Sequence, residues 1–363
     1  MTSDNYLQLL AFLGVGTSFF LALSLAGLFR YFKKSDPNLD KRRAAHSRAT
    51  SRLGGLAVCI SIFCIILINN DAWHLEIVIS ALPIFIAGLL EDLGWDLKPL
   101  LRIAIGTLSA SIFIILKGHF ITDVGVDWIN IALSVTPIAI AFTIFCVVAL
   151  INAVNFIDGT NGLASGKILI ATSGLIWLSN VYDEPNLLLL GTAIFSASLG
   201  FFVLNYPRGR IFLGDAGAYT LGFLLAVSLI TLQSKHPEIS AWSILLIIFW
   251  PFADLTHSVF RRWLRGRRSD RPDYLHLHHV IMRSIAIISG GRLSKQMANP
   301  IATSIILPIA ALPVVLGLLN LQSNVKSMTL LFGFLVFFSL THSGVVIFTR
   351  RRMFRHLGHN KNN

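Results

Sequence analysis

Long apolar runs follow one another along this sequence, and a short polar segment cuts off each one. Eleven such runs occur, at about 7–29, 53–69, 75–90, 100–117, 129–150, 165–180, 187–205, 216–233, 240–258, 300–320 and 328–349. Each is close to the ~17–25 residues a helix needs to cross hydrocarbon, and none alternates as a barrel strand does. Water cannot satisfy backbone groups in a bilayer core, so helices are the remaining way to span. The expected fold is an all-α, polytopic membrane helix bundle of about eleven transmembrane helices. Composition removes the soluble alternative: 54% of residues are hydrophobic, 13% are charged and the mean hydropathy is +0.70. One soluble core cannot hide that much apolar side chain. The chain reads as a single integral membrane domain over 1–363, with the longest polar stretch, 261–295, forming a cytoplasmic loop within it. The first run is followed by Lys33 and Lys34 without a small-residue cleavage site, as a retained helix would be. Cys59, Cys64 and Cys146 lie inside apolar runs and read as small hydrophobes.

Charge then orients the bundle. With the N-terminus outside, all but Lys117, Lys235 and Lys326 of the 30 Lys and Arg residues fall on the cytoplasmic side. That asymmetry predicts an N-out, C-in topology. The net charge of +12 sits in clusters between apolar runs, which suits anionic membrane lipids and excludes nucleic acid as the partner. The span centres lack Asp, Glu, Lys and Arg, whereas ion-coupled carriers place such groups mid-membrane. Every segment dense in chemically capable residues lands on the cytoplasmic side, so the chemistry is expected there, at a bacterial inner membrane.

Five of these segments matter. The first carries Asp36, Lys41-Arg42-Arg43, His46, Arg48, Arg52 and the pair Gly54-Gly55; a positive-inside anchor explains the bases but not the glycines. The second is Glu91-Asp92 at a span end, with Lys98 and Arg102 after it. Adjacent carboxylates near hydrocarbon call for a divalent cation or a basic partner, unless they are an ordinary solvated helix end. The third runs from Asn152 and Asn155 through Asp158-Gly159-Thr160-Asn161-Gly162, a turn whose free N–H groups can cradle a phosphate. The fourth, Phe212-Leu213-Gly214-Asp215-Ala216-Gly217, offers Mg²⁺ a hard oxygen ligand, although Asp215 would also serve as a plain N-cap. The fifth joins Asp254 and an Arg cluster to His276-Leu277-His278-His279. No Cys or second His/Glu pair accompanies that grouping as zinc would require, and it suits phosphate better. Five segments on one membrane face together predict phosphoryl transfer between a soluble nucleotide donor and a membrane acceptor.

In order along the chain, DPN…H…SRLGG, EDLGWDLKPLLR, NAVNFIDGTNGLASG, FLGDAGAYTLGF and DYLHLHH resemble the motifs of the polyprenyl-phosphate N-acetylhexosamine-1-phosphate transferase family. The resemblance covers nearly the whole chain, and HLHH is closer to its N-acetylglucosamine-type branch than to the peptidoglycan branch. It implies transfer of a sugar-1-phosphate from a UDP-sugar to undecaprenyl (polyprenyl) phosphate with release of UMP, dependent on Mg²⁺ or on Mn²⁺ in its place. It implies Asp215 as the metal ligand and Asp92, Asp158, His278 and His279 as catalytic residues. Glu91, Arg48, Lys98, Arg102, Asn152, Asn155, Asn161, Phe212 and His276 become substrate-binding residues, Phe212 by stacking on the uracil. Glu91 stands where the family has Asp, and Asn161 replaces another Asp; both leave the reaction class intact and the donor sugar open. Such chains initiate surface polysaccharides, O-antigens or cell-envelope glycans, and a homodimer is expected. The competing expectations are a flippase for lipid-linked sugars and a binding relative without activity.

Overall fold

A computed structural model describes residues 3–31, 50–264, 275–290 and 292–359; Asp36, Lys41 to Arg43, His46 and Arg48 of the first polar segment lie outside them. Fourteen helices follow in order: α1 (Ser3–Tyr31), α2 (Gly54–Asn69), α3 (Ala72–Asp92), α4 (Pro99–Lys117), α5 (Asp127–Leu133), α6 (Thr136–Ile157), α7 (Leu163–Val181), α8 (Pro185–Asn205), α9 (Gly214–Lys235), α10 (Ala241–Ile247), α11 (Phe249–Leu264), α12 (Leu277–Ile288), α13 (Lys295–Leu319) and α14 (Asn324–His359). No strand occurs among the described residues, so the chain is all-α and multi-pass.

Eight helices, α1, α3, α4, α6, α8, α9, α13 and α14, are long and apolar enough to cross a membrane. The eleven apolar runs all fall on helices, but four of them differ from straightforward spans. The run at 53–69 forms the 16-residue helix α2, and α7 falls outside the eight. The run at 240–258 breaks between α10 and α11, which meet at 91°. The run at 129–150 also breaks, at Ser134 and Val135, because Pro137 opens a new helix in the first turn of α6. That break moves the span downstream, and Asn152 and Asn155 become part of the last turns of α6 instead of the loop expected for them. Within 261–295, α12 supplies a helix where only a loop was expected.

α9 is the hub: 94% of its apolar stretch is buried, against 17% for α14. Small residues allow this close packing. A Cβ on Gly55 would lie 2.1 Å from Gly217 N, one on Gly88 2.6 Å from Ala216 Cα, and one on Gly222 2.9 Å from Ile151 Cα. α2, α3 and α6 therefore press their backbones on α9, as membrane helices do at small residues. Outward faces invert the soluble rule: Leu100 is 80%, Ile115 79% and Phe12 76% exposed, as side chains facing lipid should be.

Candidate active site

The site grows from the start of α9. Phe212 N–H donates to Ser51 O at 2.8 Å, while Gly54 N–H and Gly55 N–H donate to Phe212 O and Leu213 O at 2.9 and 2.7 Å. The glycine pair at the entrance of α2 is thus accounted for by backbone contact. Gly214 then turns the chain at φ +73°, a conformation that favours glycine. A Cβ there would meet Arg52 O at 2.2 Å and both Asp92 carboxylate oxygens at 2.5 Å.

That turn leaves the first N–H groups of α9 without helical partners, and Asp92 takes two of them. Its Oδ1 accepts from Asp215 N and its Oδ2 from Ala216 N, each at 2.9 Å. A carboxylate from the end of α3 thereby caps α9 and meets the positive end of its dipole. Asp215 projects from the same turn, and its Oδ1 accepts from Asn155 Nδ2 at 2.6 Å. Asp158 follows α6 directly and accepts from Gly214 N–H. Burial raises the Asp158 carboxyl well above the ordinary carboxylate range; Arg52 pulls it down, while Asp215 and Asp92 push it further up. Three acids from three helix ends therefore share one small region.

Glu91 faces the next layer. Tyr219 Oη donates to its Oε2 at 2.8 Å, Arg102 Nη1 donates to Tyr219 Oη at 3.2 Å, and Arg102 Nε lies 3.5 Å from Glu91 Oε1. On the other flank, His276 Nδ1 lies 2.6 Å from Asp254 Oδ2, and Leu277 N–H donates to Asp254 Oδ1 at 3.3 Å. The carboxylate fixes the imidazole with Nδ1–H toward it, leaving Nε2 for another partner. The His276 ring is 5.6 Å from Phe156, and the His278 ring is 4.1 Å from that of His279. His278 is fully buried. Burial lowers its pKa well below the usual histidine value, with His279 and His276 adding to the shift, so it stays neutral. Neither of its ring nitrogens has a hydrogen-bond partner among the described residues. Gly159 makes room for this group, since a Cβ there would lie 2.3 Å from His278 Nε2.

The structure thus brings Glu91, Asp92, Arg102, Asn155, Asp158, Asp215, His276, His278 and His279 to one end of the bundle, with Phe212 beside them. Other expected residues stand apart. Asn161 is 4% exposed; its N–H donates to Asn299 Oδ1 at 2.8 Å, its Nδ2 donates to Pro207 O at 2.9 Å and its carbonyl accepts from Thr303 Oγ1 at 2.8 Å. It ties the 158–162 turn to α13, away from the acids. Asn152 Nδ2 donates to Val148 O of its own helix at 2.8 Å. Lys98 is exposed at the N-cap of α4 and has no side-chain hydrogen bond or ion pair among the described residues. Tyr219 is a site residue that the sequence reading does not single out, and Asp254, named there only within the fifth segment, is the partner of His276. Tyr219 was legible as the residue one turn beyond Asp215, on the same face.

Among the described residues no three His, Cys, Asp or Glu side chains form a ready-made metal cage. Mg²⁺ needs none: it binds one or two carboxylates and completes its shell with water and phosphate oxygens. Asp215, with the Asp92 carboxylate against the same turn, fits that mode.

Residues 74–233, from α3 into the last turns of α9, match the sequence model of glycosyl transferase family 4. Over this stretch the chain is similar to that family. Among relatives of this chain is the "Probable undecaprenyl-phosphate N-acetylglucosaminyl 1-phosphate transferase" of Bacillus subtilis, 28% identical over 66% of this chain and 68% of the relative. The undecaprenyl-phosphate alpha-N-acetylglucosaminyl 1-phosphate transferase of Escherichia coli K12 is 27% identical over 68% of each chain. The decaprenyl-phosphate N-acetylglucosaminephosphotransferase of Mycobacterium tuberculosis H37Rv is 25% identical over 74% of this chain and 77% of its own length. The family 4 match holds every acid of the cluster except Asp254, and it ends before α11 and α12 bring in Asp254 and the histidines.

Proposed function

We propose that this chain is a family 4 transferase that moves an N-acetylhexosamine-type 1-phosphate from a UDP-sugar to undecaprenyl or another polyprenyl phosphate and releases UMP. The observation that carries the proposal is the convergence of Asp92, Asp158 and Asp215 at the ends of three apolar helices, beside Asn155, Arg102 and the His276–His279 turn. The relatives' names support the acceptor and make N-acetylglucosamine the first donor to try. Mg²⁺ held by Asp215 would neutralise the donor diphosphate and polarise its β-phosphorus. Asn155 fixes the Asp215 carboxylate, and Asp92 fixes the turn that carries it. Asp158, kept toward its protonated form, offers an O–H to an incoming phosphate oxygen. Arg102 meets phosphate charge, and His276 presents Nε2 with its tautomer set by Asp254. An acceptor phosphate oxygen attacks the β-phosphorus, and the bond to the bridging oxygen breaks toward UMP. Both Asp92 oxygens already accept backbone N–H groups, which favours direct attack over a covalent Asp92 intermediate.

The proposal includes eleven passages through the membrane, N-out and C-in, so that this end of the bundle faces the cytoplasm. It also includes a homodimer and a role in starting a surface polysaccharide, an O-antigen or a cell-envelope glycan. The test is the purified protein with Mg²⁺, undecaprenyl phosphate and labelled UDP-sugars. UMP and a lipid-linked sugar diphosphate should appear together with at least one donor. Absence of UMP with every donor would overturn the reading, and cysteine labelling at 119–124 from the outside tests the topology.

A further inference from the structure

Tyr219 is a buried hydroxyl that the reaction scheme above does not use. Asp215 and Tyr219 are four residues apart on α9, so they share a face and the phenol lies one turn deeper. Its residue is 2% exposed, yet its oxygen is engaged twice, donating to Glu91 at 2.8 Å and accepting from Arg102 at 3.2 Å. Closed Arg–carboxylate pairs meet at about 2.7–2.9 Å, but here Arg102 Nε stops 3.5 Å from Glu91 Oε1. The phenol occupies Oε2 and stands between acid and base, so the guanidinium is held in place without being consumed. The Arg102 side chain keeps 33% of its surface exposed.

Its surroundings identify what it meets. Leu100, Leu101 and Ile103 are 80%, 47% and 46% exposed, and Leu93 and Trp95 in the preceding turn are 60% and 64% exposed. This is a collar of lipid-facing apolar groups around a fixed cation, at the level of the acid cluster. An anionic headgroup with a hydrocarbon tail satisfies both parts; a soluble nucleotide would leave the collar unused.

We propose that Tyr219 is a positioning residue for the acceptor: with Glu91 it holds Arg102 at the lipid rim, where the guanidinium receives the phosphate of polyprenyl phosphate. This rests on the transferase reading for the identity of the acceptor. A flexible arginine must be ordered when it binds, whereas a held one has already lost that freedom.

The test titrates undecaprenyl phosphate, without donor, into nanodisc-held protein by native mass spectrometry, and measures KM for both substrates. Tyr219→Phe removes one oxygen and should weaken acceptor binding about 5- to 20-fold, raising the acceptor KM by the same factor. The kcat and the donor KM should stay within about twofold. Arg102→Ala should weaken the acceptor at least as much, and adding Tyr219→Phe to it should change nothing more, because the phenol acts through the guanidinium. Arg102→Lys, which keeps the positive charge but not the fork of donors, should lose most of the tyrosine's influence too. An additive loss in the double variant, a shift in donor KM instead, or unchanged acceptor binding in Tyr219→Phe would overturn the proposal. The binding arm needs no turnover: acceptor binding that follows this pattern without UMP release from any donor would remove the transfer reading and leave the positioning role standing.

Discussion

The two ends of the helix bundle handle charge in opposite ways. At the end away from the site, acids meet bases: Glu76 pairs with Lys117, Asp71 lies 3.0 Å from His74, and Glu184 holds Lys235 at 2.6 Å and His236 at 3.1 Å. Backbone ties close the same end, with Gln233 Nε2 donating to Asp123 O and Ser240 N–H to Leu321 O, each at 2.7 Å. At the site end, Asp92, Asp158 and Asp215 repel one another, and Arg52 is the base that acts on two of them. One end is neutralised by the chain itself and serves as scaffold. The other gathers acids that repel one another near hydrocarbon, and the proposed cation would offset that cost.

The largest effect that would sharpen this contrast is at Asp215. Asp215→Asn should lower UMP release by about 100- to 1,000-fold, the size of a lost charge-stabilising contact, and should abolish any rise in melting temperature caused by Mg²⁺. Full Mg²⁺-dependent activity in that variant would remove the metal from this carboxylate. Next comes a pair of glycines, both with positive φ, one at each end. Gly214→Ala should cost about 3 kcal/mol or more in thermal unfolding, since a Cβ collides with Arg52 O and the Asp92 carboxylate as well as straining the backbone. Gly118→Ala at φ +67° has open space for its Cβ and should cost about 1 kcal/mol from backbone strain alone. Equal losses would mean that the site end is no more tightly built than the far end.

The smallest effect belongs to Glu184. Burial raises its carboxyl, but hydrogen bonds from Lys235 and His236 outweigh that and leave it below the ordinary glutamate value. A lowered acid stabilises the fold above its unfolded pKa, about 4.3, and the contribution is lost as pH falls through the lowered value. Melting temperature should therefore decline below about pH 4.3, and Glu184→Gln should flatten that decline while costing about 0.5–1 kcal/mol at neutral pH. A steeper decline in the variant would show that the pair is not a stabilising one.

Sequence alone carries much of this contrast. The motif segments could be assigned to one face because Lys and Arg gather in alternate polar segments between the apolar runs. It does not show that a proline at the start of α6 would draw Asn152 and Asn155 into a helix, or that the 240–258 run would bend by 91°. Neighbouring amides also part company: Asn155 reaches Asp215, whereas Asn161 turns into a buried network with Asn299 and Pro207. Both are asparagines in one motif, and local pattern does not separate them.

By itself the sequence determined that this chain is a helical membrane protein whose chemistry-bearing residues lie at helix ends. Apolar run length and the unmet hydrogen bonds of a backbone in lipid leave no other outcome. The tertiary structure decided which of those residues meet. Asp92 and Ala216 are separated by 124 positions, and they touch because Gly88 and Gly55 let α3 and α2 press against α9. Contacts of that range depend on how helix faces fit together, a property of the packed bundle that no single helix carries in its pattern.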